Sequence, residues 1–194
     1  VSGKIITSHS LTYSNYLEIE AMSRKIFTPL HIHLLNPPRL IATNKDINRY
    51  TVHESFMVSL PLSYRTPEDI TPEDTIVKMM YINDPEKLDR SLSQLPEDFY
   101  EKYTCVRSER FFFEILNKKA GKGQALADLR EHLGLKKEET MAIGDNENDL
   151  SMIEEAGIGV AMENGAPLVK ERANFVTKNC NEDGVAYALE KFVL

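Results

Sequence analysis

The pattern of apolar and polar positions becomes regular from Gln124 to the end of the chain. Short apolar runs alternate there with amphipathic stretches, which predicts strands and helices in turn. In order, we predict helix Gln124–Leu133, strand Thr140–Ile143, helix Leu150–Ala156, strand Ile158–Met162, a helix from Pro167 to about Ala173, strand Asn174–Thr177 and a last helix capped by Asp183. This alternation is typical of a parallel sheet with crossover helices. Because a parallel sheet usually needs more than three strands, we expect others to come from elsewhere in the chain, from a missing segment or from a partner.

The earlier part of the chain has the pattern of an α+β domain. We predict strands at Lys4–Ser8, His31–Leu35, Leu40–Thr43, Phe56–Leu60, Ile76–Ile82, Tyr103–Ser108 and Arg110–Leu116, and helices at Tyr13–Phe27 and Pro85–Leu95. The last two strands are close enough in sequence to form a hairpin. We place the boundary near Asn117–Gly121, which assigns residues 1–118 mostly to the first domain and residues 119–194 to the second, with the first strand either in the first domain or linked to the second.

The amino-acid composition indicates which partners and which cellular location to expect. The net charge of −7 argues against nucleic-acid binding, which usually needs a basic face. No apolar run reaches the length of a membrane span, and no signal peptide is visible. Cys105 and Cys180 lie far apart without metal-type spacing, which favours reduced thiols and a cytoplasmic location.

An acidic stretch between a predicted strand and a predicted helix carries candidate metal chemistry. It reads Gly144-Asp145-Asn146-Glu147-Asn148-Asp149, and a helix that begins after Asp145 would bring its two aspartates together. Mg²⁺ prefers one or two carboxylates together with water and a phosphate. The simpler interpretation is a solvated turn with a capping aspartate. An EF-hand is excluded, because Leu150 and Ala156 occupy the positions that require Gly and Glu.

A second candidate is Lys122, which lies between Gly121 and Gly123 just before a helix. A helix start with a lysine charge suits a phosphate, although a flexible basic linker is the simpler interpretation of these three residues alone.

The histidines are weaker metal candidates. His31 and His33 share one face of a strand without a third ligand nearby, and His53-Glu54 lacks the second histidine of a zinc-protease helix. We therefore assign structural roles to all three histidines.

Together these residues resemble the HAD superfamily, and within it the Cof-type phosphatases with the YidA-like sugar phosphatases. Gly144-Asp145-x-x-Asn148-Asp149 is similar to the last catalytic motif of that superfamily, and Lys122 followed by Gly123 is similar to its lysine motif. Further segments that resemble the same branch are Tyr50–Phe56, Ile158–Met162, Pro167–Lys170, Ala173–Thr177 and Glu182–Val185.

The resemblance implies an α/β fold, with a partial Rossmann-like parallel-sheet core and a mobile α+β cap of the C2 type. It implies Mg²⁺-dependent hydrolysis of phosphomonoesters, such as sugar phosphates, through an aspartyl-phosphate. By the same resemblance, Asp145 would bind Mg²⁺ directly and Asp149 would support the metal. Lys122 would neutralise the phosphate, and Asn148 would hydrogen-bond the phosphate or the substrate.

The chain departs from the family at its first motif. Family members begin with Asp-x-Asp-Gly-Thr, whose first aspartate is the nucleophile, and no segment here matches it. We therefore expect the intact protein to be a phosphatase and this chain alone to be inactive. A missing N-terminal core segment or a dimer partner would cover the open sheet edge. The alternative is a non-catalytic module that binds phosphorylated ligands or pairs with a partner through that edge.

Overall fold

The computed structural model describes residues 5–44 and 47–194, and these residues form two compact units. One unit comprises residues 9–119, and the other comprises residues 5–8 together with residues 120–194. Lys4 of the predicted strand Lys4–Ser8 lies outside the described residues, and residues 5–8 belong to no helix or strand. That strand prediction is therefore wrong for residues 5–8. The Thr7 hydroxyl donates a hydrogen bond to the Asp128 carboxylate at 2.9 Å.

The unit of residues 9–119 is built on a six-stranded, mainly antiparallel sheet. Its elements in chain order are α1 (Tyr13–Lys25), β1 (Leu30–Leu35), β2 (Pro38–Ala42), α2 (Arg49–Met57), β3 (Leu62–Tyr64), β4 (Ile76–Ile82), α3 (Pro85–Leu92), α4 (Glu97–Lys102), β5 (Tyr103–Glu109) and β6 (Phe112–Asn117). The strand order is β3-β2-β1-β4-β6-β5, and only β2 and β3 run parallel. The predicted hairpin is present as β5 and β6.

Strict alternation along β1 gives this sheet two buried faces of different character. Leu30, Ile32 and Leu34 join the main apolar core with residues of α1, α3 and α4. His31 and His33 point to the opposite face and are equally buried. Helix α2 covers that second face.

Helix α2 contradicts the prediction of a strand at Phe56–Leu60. Phe56 and Met57 end the helix, and the chain then turns at Ser59, whose φ is +53°. The helix buries Thr51 and Glu54 against the histidines and exposes Val52 and Phe56. Because the apolar residues lie on the outside, the apolar pattern did not indicate the helix.

The second unit has the predicted alternation of strands and helices around a parallel sheet. Its elements are α5 (Lys122–Leu133), β7 (Met141–Gly144), α6 (Leu150–Glu155), β8 (Ile158–Ala161), α7 (Pro167–Arg172), β9 (Phe175–Val176) and α8 (Gly184–Phe192). The three strands have the order β7-β8-β9, and both neighbouring pairs are parallel. The carboxyl ends of all three strands therefore meet at one edge of the sheet, where Asp145 follows β7 directly. The α/β fold class is confirmed.

Candidate active site

Asp149 is the organising side chain of the turn that follows β7. It is only 4% exposed, and its Oδ2 atom accepts the backbone N–H groups of Asp145 at 2.9 Å and Asn146 at 3.2 Å. Its Oδ1 atom accepts a hydrogen bond from the ammonium group of Lys122. The carboxylate therefore fixes the turn and the lysine at the same time.

Gly144 makes this arrangement possible. A Cβ atom at position 144 would overlap the Cβ and the carboxyl group of Asp149. The last residue of β7 must therefore lack a side chain so that Asp149 can fold back over the strand end.

The charge state of Asp149 follows from these contacts. Burial raises the pKa of this carboxyl group, but the hydrogen bonds from Lys122 and from the two backbone N–H groups outweigh burial. The pKa of Asp149 thus lies below its ordinary value, and the group is a carboxylate at neutral pH.

Lys122 reaches Asp149 because α5 and α6 pack in close contact. The N–H group of Gly123 donates to the Ser151 hydroxyl at 3.2 Å, and a Cβ atom on Gly123 would lie 2.6 Å from the Ser151 carbonyl oxygen. Lys122 is the first residue of α5, two residues earlier than the predicted start. Its side chain is half exposed, although its ammonium group contacts the buried carboxylate of Asp149.

Asp145 has the opposite environment to Asp149. Its side chain is exposed, whereas its carbonyl oxygen accepts the N–H group of Ala166 at 2.8 Å. Gly165 packs against the same backbone, since a Cβ atom there would lie 2.9 Å from the Asp145 carbonyl oxygen. The turn after β8 thus holds the backbone of Asp145 and leaves its carboxylate free to bind a ligand.

The remaining predicted residue, Asn148, lies exposed in a 3₁₀ turn, Glu147–Asp149. Asn146 caps this turn by accepting the N–H group of Glu147 at 2.8 Å. The structure thus brings Lys122, Asp145 and Asp149 to one end of β7, with Asn148 in the adjoining turn.

The donor set fits Mg²⁺ bound through one protein carboxylate. Among the described residues, no side-chain hydrogen bond or ion pair engages the carboxylate of Asp145, whereas three hydrogen bonds already occupy that of Asp149. Mg²⁺ commonly keeps several waters and takes one or two carboxylates with a substrate phosphate, so this set is compatible with the ion. Among residues 5–44 and 47–194, the chain brings together no group of three His, Cys, Asp or Glu side chains that could hold a metal.

Sequence reasoning missed the residues that support the site. Ser151 and Ala166 act through contacts between elements, which spacing along the chain does not reveal. Of the three histidines assigned structural roles, His31 and His33 are buried and His53 is exposed. His31 lies 3.0 Å from the Thr51 hydroxyl, and His33 lies 3.5 Å from the Glu54 carboxylate.

Comparison with known proteins relates this chain to one family over nearly its whole length. The profile of the haloacid dehalogenase-like hydrolases matches residues 1–189. A relative from Streptococcus pyogenes serotype M6, M6_Spy0533, is named provisionally as a phosphatase. It is 44% identical over 193 residues, which cover all of this chain and 71% of the relative.

Two further matches are a named phosphatase and a solved structure. The Bacillus subtilis 5-amino-6-(5-phospho-D-ribitylamino)uracil phosphatase YwtE is 37% identical over 121 residues, which cover 62% of this chain and 42% of that protein. The crystal structure of TM0651 from Thermotoga maritima is 30% identical and has a TM-score of 0.82, covering all of this chain and 71% of that one.

These matches confirm the resemblance that the acidic turn and the lysine indicated. They also show that relatives contain polypeptide that this chain does not match, since it covers 71% of two of them. No helix among the described residues is both long and apolar enough to cross a membrane. The chain belongs to the haloacid dehalogenase-like hydrolase family.

Proposed function

We propose that the intact protein hydrolyses small phosphomonoesters with the help of Mg²⁺. The observation that carries the proposal is the convergence of Lys122, Asp145 and Asp149 at the carboxyl end of β7. Phosphoryl transfer depends mainly on positioning and on neutralising phosphate charge, and this group of side chains suits both tasks.

Asp145 would hold Mg²⁺, and its exposed carboxylate supports that role. When bound, Mg²⁺ supplies a positive charge that neutralises phosphate oxygens. Asn148 lies one residue before Asp149 and would donate its amide to the phosphate or the substrate.

Asp149 would support the metal site indirectly as a positioning residue. Its carboxylate holds the Lys122 ammonium and the N–H group of Asp145, so both groups keep a fixed position when a phosphate arrives. Lys122 would then place its charge next to the phosphate without losing freedom on binding.

We propose a sugar or polyol phosphate as the substrate. YwtE, which matches part of this chain, is named for a substrate with a phosphorylated ribityl group. Residues 9–119 would form the cap that selects the leaving group, and residues 120–194 would belong to the core. We also propose a cytoplasmic location, based on the two unpaired cysteines.

The nucleophile would come from polypeptide outside these 194 residues. We propose that it adds beside β7, which is an end strand of its sheet in the described chain. A core segment of the same protein or a dimer partner could supply that strand.

The test is a hydrolysis assay on the intact protein and on the 194-residue chain. We expect the intact protein to release phosphate from ribose 5-phosphate, ribitol 5-phosphate or 4-nitrophenyl phosphate with Mg²⁺, and to lose activity when a chelator removes the metal. The 194-residue chain should release none. If the 194-residue chain hydrolyses these substrates and Asp145→Asn abolishes that activity, the chain contains its own nucleophile and the proposed external nucleophile is wrong. If the intact protein is inactive on every phosphomonoester, the result supports the alternative of a non-catalytic binding module.

A further inference from the structure

The turn that joins β8 to α7 holds the end of β7 through two backbone hydrogen bonds. Residues 162–165 form a β-turn, which a hydrogen bond of 2.9 Å closes between its first carbonyl oxygen and its last N–H group. The Met162 N–H group donates to the Gly144 carbonyl oxygen at 2.9 Å. Directly after the turn, the Ala166 N–H group donates to the Asp145 carbonyl oxygen at 2.8 Å. The backbone position of Asp145 therefore depends on the position of this turn.

Gly165 brings the same turn into close contact with Asp145. A Cβ atom on Gly165 would lie 2.9 Å from the Asp145 carbonyl oxygen and 3.1 Å from its Cα atom. Contacts this close transmit small displacements, because the neighbouring groups cannot move independently. A shift of the turn would therefore carry the Asp145 backbone, and with it the exposed carboxylate, to a different position.

Two side chains fix the central residues of this turn from outside it. The Lys170 ammonium, on α7, donates to the Glu163 carbonyl oxygen at 3.1 Å. The Oδ1 atom of Asn164 accepts the N–H group of Cys180 at 2.9 Å, and Cys180 lies in the segment that follows β9. The turn is thus tied both to α7 and to the segment after β9. Both bonds lie at the surface, and exposed backbone without such support is the kind that opens locally.

We infer that Asn164 and Lys170 are positioning residues for Asp145, and this inference rests on the proposed function, in which Asp145 holds Mg²⁺. The Asp145 side chain is exposed and takes its placement from the backbone that the turn holds. A carboxylate placed in advance loses less freedom when it binds an ion. Groups that directly support a metal ligand commonly change metal affinity about 10- to 100-fold, and these two residues act one contact further away.

Two substitutions loosen the turn without changing Asp145. Asn164→Ala removes the acceptor of the Cys180 N–H group, and Lys170→Met removes the ammonium group that holds the turn. Amide hydrogen exchange, followed by NMR on the metal-free intact protein, measures the effect without metal or substrate. Each variant should speed exchange of the Ala166 amide about three- to tenfold, because that N–H group reports the bond to Asp145.

Matched variants separate positioning from general damage. Asn164→Asp keeps an acceptor oxygen and should restore slow exchange at Ala166. Asn181→Ala and Lys136→Met make the same chemical changes at exposed residues of the same unit and should leave the exchange unchanged. Wild-type exchange at Ala166 in both Asn164→Ala and Lys170→Met would overturn the inference.

Calorimetric titration of the intact protein with Mg²⁺ measures the consequence for the metal. Asn164→Ala and Lys170→Met should each raise the Mg²⁺ Kd about three- to tenfold. Loss of the Lys170 charge by itself would strengthen the binding of a cation, so weaker binding has the sign of lost positioning. The maximal rate of hydrolysis at saturating Mg²⁺ should stay within about twofold of the wild type, because the metal site refills. A purely structural role would lower the unfolding free energy and leave the Mg²⁺ Kd of the folded protein unchanged.

The results distinguish a failure of this inference from a failure of the proposed function. A protein that binds Mg²⁺ but hydrolyses no phosphomonoester would contradict the proposed function, while the Kd values of the variants would still decide the inference. A wild type that binds no Mg²⁺ would contradict both. A folded Asn164→Ala/Lys170→Met double variant with the wild-type Mg²⁺ Kd would overturn the inference alone.

Discussion

At the scale of single residues, the two aspartates of the acidic turn have different tasks because their surroundings differ. Asp149 is buried and accepts three hydrogen bonds, whereas Asp145 is exposed. A carboxylate that already accepts three hydrogen bonds has few lone pairs left for a metal. A carboxylate without such bonds has all of its lone pairs available. Position along the chain does not separate the two roles, but burial and hydrogen bonding do.

Substituting Gly144 tests whether Asp149 needs the space above the end of β7. Gly144→Ala should destabilise the chain by about 1–3 kcal/mol, because the new Cβ atom overlaps the Asp149 side chain. Gly121→Ala is the matched control, since a Cβ atom there has no neighbour within 4 Å and should change stability by less than about 0.5 kcal/mol. Urea unfolding of both variants measures the difference, and equal stabilities would show that Asp149 does not need the space above Gly144.

At the scale of elements, the close packing of α5 on α6 fixes Lys122 over Asp149. Gly123→Ala should cost about 1–3 kcal/mol in the unfolding free energy, because α5 must move away from the Ser151 backbone. Ser151→Ala removes only the acceptor of the Gly123 N–H group and should cost about 0.5–1.5 kcal/mol. A Gly123→Ala variant with wild-type stability would contradict this role of the contact.

The histidine face of β1 makes the fold sensitive to acid. Burial lowers the pKa of His31 to about 4 and that of His33 to about 3, with smaller contributions at His33 from Lys78 and His31. The Nδ1 atom of His31 is also buried without a hydrogen-bond partner among the described atoms. A second proton on the His31 ring would therefore lack compensation.

The sign of the effect follows from where each state binds protons. Below about pH 6.5 the unfolded chain protonates these histidines, and the folded chain does so only near pH 4 or lower. Stability should therefore fall as the pH drops through this window, by about 2 kcal/mol between pH 7 and pH 5 from His31 alone.

His31→Gln tests this prediction, because glutamine can still bond Thr51 but does not titrate. Urea unfolding at pH 7 and pH 5 should show a smaller loss of stability in His31→Gln than in the wild type. Exposed His132→Gln is the control and should follow the wild type. An unchanged pH dependence in His31→Gln would exclude the buried histidine as the cause.

The elements also show where the sequence was informative and where it was not. Each strand and helix after Lys122 was predicted to within a few residues, because local alternation sets parallel β–α units. Helix α2 was missed because it buries Thr51 and Glu54 and exposes Val52 and Phe56, which inverts the usual pattern. Residues 5–8 do not form the predicted strand, because an alternating pattern does not itself supply a neighbouring strand with which to pair.

At the scale of the whole molecule, the described chain holds one part of the proposed catalytic apparatus. Lys122, Asp145 and Asp149 were predicted from spacing and resemblance, and the structure brings them together at one strand end. Their supports, Ser151 and Ala166, come from other elements and emerged only in three dimensions. Among the described residues, the sheet of the same unit has three strands, and the matched relatives extend beyond the region that this chain covers.

The central claim is that Asp145 binds Mg²⁺ whereas Asp149 positions Lys122. The most direct test is the Mg²⁺ dependence of phosphomonoester hydrolysis by the intact protein carrying Asp145→Asn or Asp149→Asn. Asp145→Asn should raise the Mg²⁺ concentration for half-maximal rate by at least about tenfold, while Asp149→Asn should mainly lower the maximal rate, by roughly 10²-fold. An Asp145→Asn enzyme with the Mg²⁺ dependence of the wild type would contradict the account.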